Sequence, residues 1–85
     1  MTQHTLMQKL PRAHVDWELF ASDLRAHRAR LRVDLRTAAR CLGTSASTLS
    51  RTEGGKPCEV DLLVRLLIWM NADAWDYVDW DAETE

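Results

Sequence analysis

Glycine, proline and cysteine are scarce in this chain, at 3, 2 and 2 of its 85 residues. There is no internal repeat and no low-complexity tract, so linker-like organisation is excluded. The two cysteines, Cys41 and Cys58, form no C-x-x-C pair, and no histidine lies at zinc-finger spacing from them. Reduced, packed thiols are therefore expected, and with them a cytoplasmic location. The longest apolar run, Leu66 to Met70, is far short of the roughly 20 residues that span a bilayer. The first residues, Met1 to Pro11, contain neither an apolar secretory stretch nor a small-residue cleavage site, so export is not expected. No G-x-S-x-G, P-loop or paired-carboxylate arrangement is present, and His4, His14 and His27 lack metal-ligand spacing. The expectation is a protein that is not an enzyme and has no cofactor, no metal and no small-molecule ligand.

An excess of positive charge is also missing: 11 Lys and Arg face 13 Asp and Glu, a formal charge of −2. That total argues mildly against a nucleic-acid partner and against a polybasic membrane surface. Its distribution argues the other way. Residues 1–24 carry a net −1, residues 25–56 a net +6 and residues 57–85 a net −7. A basic middle followed by an acidic end points to a polyanion partner, or else to a solvated arginine-rich helix face. With 46% apolar and 28% charged residues, the chain has the composition of one soluble domain.

The apolar residues repeat at helical rather than strand spacing. Asp16 can cap a helix in which Trp17, Phe20, Leu24 and Leu31 share a stripe. Asp34 can cap a second helix through Leu42, ended by Gly43, and Ser45 a third through about Thr52. Glu59 to about Met70 reads as a fourth helix, apolar almost all round and so buried on more than one side. Asn71 ends it, and Ala74 to about Trp80 can add a short fifth. The expected fold is all-α, a compact domain of five helices. Residues 1–14 form an arm of uncertain order, 15–72 the main domain, and 73–85 a short helix with an acidic aromatic segment. Lys9 and Arg12 in the arm suit either a minor-groove contact or a frayed end.

The second and third helices meet at Gly43-Thr44, with the small Ala39 four residues before that glycine and Leu49 six after it. Gly43 can take positive φ at the corner, Ala39 lets the third helix cross closely, and Leu49 pins it to the core. This is the spacing of a helix-turn-helix, whose second helix is offered to the DNA major groove. The outward positions of that helix are Ala46, Ser47, Ser50 and Arg51, small, hydroxylated or cationic, with no acid before Glu53. Such side chains suit base edges flanked by phosphates, whereas a merely solvated helix would carry Glu and Lys.

The stretch Asp34 to Lys56, and especially Leu49-Ser-Arg-Thr-Glu-Gly-Gly-Lys56, resembles the phage-repressor and Cro-like helix-turn-helix family, also called the XRE family. The likeness covers about residues 20 to 78. It implies a five-helix, repressor-like domain that binds double-stranded DNA as a two-fold dimer on inverted half-sites. Carried over to this chain, Ala46, Ser47, Ser50 and Arg51 would read bases. Arg36, Thr37, Arg40, Ser45 and Lys56 would meet the DNA backbone, although Ser45 is first a helix cap. Arg25, Arg30 and Arg32 are expected to form a solvated face. Thr52 departs from the family, which carries a bulky apolar residue there, so the core contact at that point is weaker or supplied from elsewhere.

Arg28 lies on the apolar stripe of the first helix, where a guanidinium requires a carboxylate, and Glu53 is the candidate. Related family members use such a pair to tie the first helix to the recognition helix; the alternative is an Arg28 that snorkels to solvent. Trp75 and Val78 are expected to cover the core. Leu62, Leu66, Trp69, Tyr77 and Trp80 are the candidates for a homodimer interface. The expected function is a transcriptional regulator of repressor or Cro type. The competing reading is a protein-interaction module, an antitoxin or co-regulator, that uses the Trp-rich acidic end to bind a protein partner.

Overall fold

Local capping chemistry sets the chain's course. The Asp16 carboxylate accepts the Leu19 N–H at 3.0 Å and starts α1, Trp17–Leu31. The Asp34 carboxylate accepts the Thr37 N–H at 2.7 Å and starts α2, Leu35–Leu42. Ser45 Oγ accepts the Thr48 N–H at 3.1 Å and starts α3, Ala46–Glu53. The last helix, α4, Val60–Met70, follows Glu59 without a side-chain cap. Left-handed residues close three of the four, Arg32 at φ 56°, Gly43 at φ 72° and Asn71 at φ 54°. The computed structural model describes residues 12–80. Lys9, most of the expected N-terminal arm, and the acids Asp81, Glu83 and Glu85 lie outside the described residues.

The chain is predominantly helical, but it is not all-α. A 3₁₀ turn at Ala74–Tyr77 replaces the expected fifth α-helix and runs directly into a strand. That strand, β2 (Val78–Trp80), pairs antiparallel with β1 (Ala13–Val15), in register Ala13↔Trp80, His14↔Asp79 and Val15↔Val78. Asp16 N–H adds a 2.7 Å bond to the Tyr77 carbonyl. The end of the expected arm is therefore paired backbone: Ala13 and His14 belong to the ladder, and the two ends of the domain are tied together.

The core is built from Phe20 and Leu24 of α1, Ala38, Ala39 and Leu42 of α2, Leu49 of α3, Leu62 and Leu66 of α4, and Tyr77. Phe20 meets Tyr77 edge to face, with ring centroids 5.1 Å apart. Tyr77 is buried and its hydroxyl donates to Asp23 at 2.8 Å. Burial, together with the Asp23 carboxylate, pushes the phenol up to about 12. Folding favours the neutral phenol, so the stabilisation is complete below the ordinary value near 10 and is lost as pH rises towards 12. Wild type is expected to exceed Tyr77→Phe in stability by about 1 kcal/mol at neutral pH. That difference should vanish between about pH 10 and 12 in denaturant melts, and a constant difference would discount the hydroxyl.

Several expectations about burial need correction. Leu31 leaves the apolar stripe and is half exposed, because α1 ends there and Val33 takes its place against the core. Trp75 does not cover the core; it is 71% exposed at the outer side of the 3₁₀ turn. Cys41 is exposed and only Cys58 is partly packed; burial pushes the Cys58 thiol up. Helix α4 is less buried than expected: Leu62 and Leu66 enter the core and Leu63, Leu67 and Trp69 pack half-buried against it, while Val60, Val64 and Ile68 face outward. No helix among the described residues is long and apolar enough to cross a membrane.

Candidate nucleic-acid interface

Helices α2 and α3 meet at a three-residue corner, Gly43-Thr44-Ser45. Gly43 takes the left-handed conformation, and Thr44 N–H reaches back to the Ala39 carbonyl at 2.9 Å. Buried Ala38 and Ala39 leave room for α3, and buried Leu49 anchors it. Arg65 of α4 donates from Nε to the Leu42 carbonyl at 2.7 Å, satisfying an orphan group at the end of α2. Thr52 is fully buried as well, and its hydroxyl donates to the Thr48 carbonyl at 3.1 Å. The small, self-satisfied threonine thus itself fills the core position at the end of α3.

The same end of α3 is locked to α1. Arg28 donates from Nε to Glu53 Oε2 at 2.6 Å and from Nη2 to Oε1 at 2.9 Å, a two-pronged fork. Its Nη1 donates to the Val33 carbonyl at 3.0 Å. Glu53 is buried at 7% exposure, and the hydrogen bond to it pushes the Arg28 guanidinium above its ordinary value. Arg25, expected on a solvated face, donates to the Glu53 carbonyl at 2.5 Å and serves the same joint. Arg30 and Arg32 are exposed.

On the outward side of α3, Ser47, Ser50 and Arg51 are exposed, whereas Ala46, expected beside them, is half-buried and packs against the core. Ser45 is committed locally: its Oγ accepts from Thr48 N–H and donates to Thr48 Oγ1 at 3.0 Å. Thr48 Oγ1 also accepts from Arg51 Nη2 at 3.3 Å, which steers that guanidinium while the rest of its N–H groups remain free. Thr48 and Arg65 escape sequence reasoning. Thr48 falls between outward and core positions, and Arg65 shows only as the single base of the acidic segment.

Arg36, Thr37 and Arg40 of α2 are exposed, as is Lys56 in the loop that follows α3. The nearby acid, Asp34, is held below the usual carboxylate range, chiefly by the Thr37 N–H and to a lesser degree by Arg40 and Arg36. Among the described residues, the two acids of the segment from Val33 to Lys56 are engaged, Asp34 as a cap and Glu53 with Arg28. The arrangement can offer hydroxyl and guanidinium donors flanked by positive charge.

The candidate dimer residues are divided. Leu62, Leu66 and Tyr77 are core residues and cannot form an interface without unfolding the domain. Trp69 is half-buried, its ring edge-on to His27 at 4.7 Å. Only Trp80, on β2, is substantially exposed, at 53%. No family model, curated protein or solved structure matches this chain.

Proposed function

We propose that the protein is a sequence-specific double-stranded DNA-binding regulator of the phage-repressor and Cro-like kind, with α2 and α3 as its helix-turn-helix. In this reading α3 enters the major groove, Ser47, Ser50 and Arg51 read base edges with Ala46 beside them, and Arg36, Thr37, Arg40 and Lys56 engage phosphates. The observation that carries it is the contrast between the two sides of α3. The inner side is fixed by Leu49, Thr52 and the Arg28–Glu53 fork, while the outer side presents hydroxyls and a guanidinium without an acid. A rigid helix with a cationic, donor-rich face suits base reading better than a solvated face does.

Selection of binding sites from a random DNA pool, followed by affinity across a salt series, tests this reading. An inverted-repeat consensus bound with steep salt dependence is expected. Absence of any enriched sequence would overturn it. A second reading, a protein-interaction module of the antitoxin or co-regulator type, draws on Trp75 and Trp80, exposed at 71% and 53% beside Asp73, Asp76 and Asp79. The double variant Ser47→Ala, Arg51→Ala separates them: retention of all activity would favour the interaction module.

A further inference from the structure

Val60, Val64 and Ile68 recur every four residues along α4 and are exposed at 70%, 48% and 74%. At helical spacing they form one ridge on the side of α4 opposite Leu62 and Leu66. Their open surface is on the order of 300 Å² of contiguous apolar area, comparable to the largest apolar patch of a typical monomer, which is often functional. The half-buried Leu63 and Leu67 extend this ridge on one flank, where they line a small apolar groove against Val15 and Val78. On the other flank lie Asp61 and Arg65, both exposed.

We propose that this ridge is the contact with a second copy of the chain, α4 packing antiparallel on its counterpart with Val64 on the two-fold axis. The flanks decide for a second copy. A two-fold interface must be self-complementary. With 1.5 Å rise per residue, Asp61 lies about 4.5 Å before Val64 and Arg65 about 1.5 Å after it. In the antiparallel pair, Asp61 of one copy is therefore offset by only about 3 Å along the axis from Arg65 of the other, on the same flank, so the long arginine side chain can span the helix–helix separation to the carboxylate. On the opposite flank Leu67 meets Leu63 by the same symmetry, so like meets like where both are apolar and opposites meet where both are charged. Val60 then packs against Ile68 at both ends. Arg65 can serve both roles, because Nε is engaged with Leu42 and its terminal nitrogens remain for the partner.

The interface gives the two-fold assembly of the DNA-binding reading its contact surface. It draws on α4 alone and its test contains no DNA, so either idea can fail without the other. Sedimentation of the full chain at micromolar concentration is expected to show a dimer. Val64→Asp places two carboxylates together on the axis and should weaken that dimer by about 100-fold or more. The helical circular dichroism should be unchanged, since Val64 is half exposed in the single chain. Oxidation of Val64→Cys should yield a covalent dimer faster than the parent's own Cys41 and Cys58, whereas Ile68→Cys should do so only together with Val60→Cys. A wild-type monomer at high micromolar concentration would overturn the proposal and give the ridge to a different protein. A dimer indifferent to Val64→Asp would place the interface elsewhere. Cross-linking through Ile68→Cys alone would overturn the register.

Discussion

Replacing Arg28 by alanine is expected to cost about 2–4 kcal/mol of folding stability and to lower the thermal midpoint by roughly 10–20 °C. Three donors disappear at once, two to the Glu53 carboxylate and one to the Val33 carbonyl. The larger part of the cost is what remains. Glu53 is 7% exposed, and without its fork its carboxylate is a buried charge that has lost its ion-pair partner, Arg25 being engaged at the Glu53 backbone carbonyl. The side chain of Arg28 keeps 24% exposure, so water can enter the vacated space, which holds the cost below that of a fully enclosed pair. Arg28→Lys should recover only part of the loss, since an ammonium cannot reproduce the two-pronged contact. The double variant Arg28→Met, Glu53→Met should recover more, because it removes both charges together. Thermal and denaturant melts check all three. An unchanged midpoint in Arg28→Ala would show that the fork contributes nothing net, and a double variant as unstable as Arg28→Ala would deny the stranded-charge explanation.

This joint was legible from the sequence because it rests on one strong rule, that a guanidinium on an apolar stripe needs a carboxylate. The helix caps were legible for a similar reason: Asp16, Asp34, Ser45 and Gly43 act within four residues of themselves. The strands were not. Each is three residues long, too short to show alternation, and Ala13–Val15 finds its partner only at Val78–Trp80 at the far end of the domain. The backbone-directed arginines were hidden as well, since any carbonyl can accept from Arg25 or Arg65 and no residue type marks which one will. Helix α4 shows a further limit. Almost every position in it is apolar, so its sequence does not select a face. Phe20, Leu24 and Tyr77 claim the side bearing Leu62 and Leu66, and the other side is left open. Leu62 and Leu66 left the expected dimer set on that choice, although the surplus of apolar surface that suggested it is present along Val60, Val64 and Ile68.

On the proposed DNA-binding reading, Arg51→Ala should lose roughly 10- to 100-fold in affinity for the selected site while leaving the thermal midpoint nearly unchanged. Arg51 is exposed, and among the described residues its one side-chain hydrogen bond is the 3.3 Å bond to Thr48, so little stability rests on it. An arginine that reads guanine through paired donors contributes discrimination: affinity for the selected site should fall towards that for random DNA, while affinity for random DNA hardly moves. An arginine that touches phosphate behaves otherwise, weakening every sequence alike and lowering the salt slope by about 0.9 for each phosphate no longer neutralised. Arg36→Ala and Lys56→Ala should follow that second pattern. Both side chains are exposed, Arg36 in the first turn of α2 and Lys56 in the loop after α3, outside the hydroxyl-rich face of Arg51. The two behaviours are separated by measuring each variant on selected and random duplexes across a salt series. If Arg51→Ala lowers the slope and leaves discrimination intact, Arg51 binds phosphate, and base reading has to rest on Ser47 and Ser50. If it changes neither quantity, the outer face of α3 is not the DNA-reading surface, whatever else the domain binds.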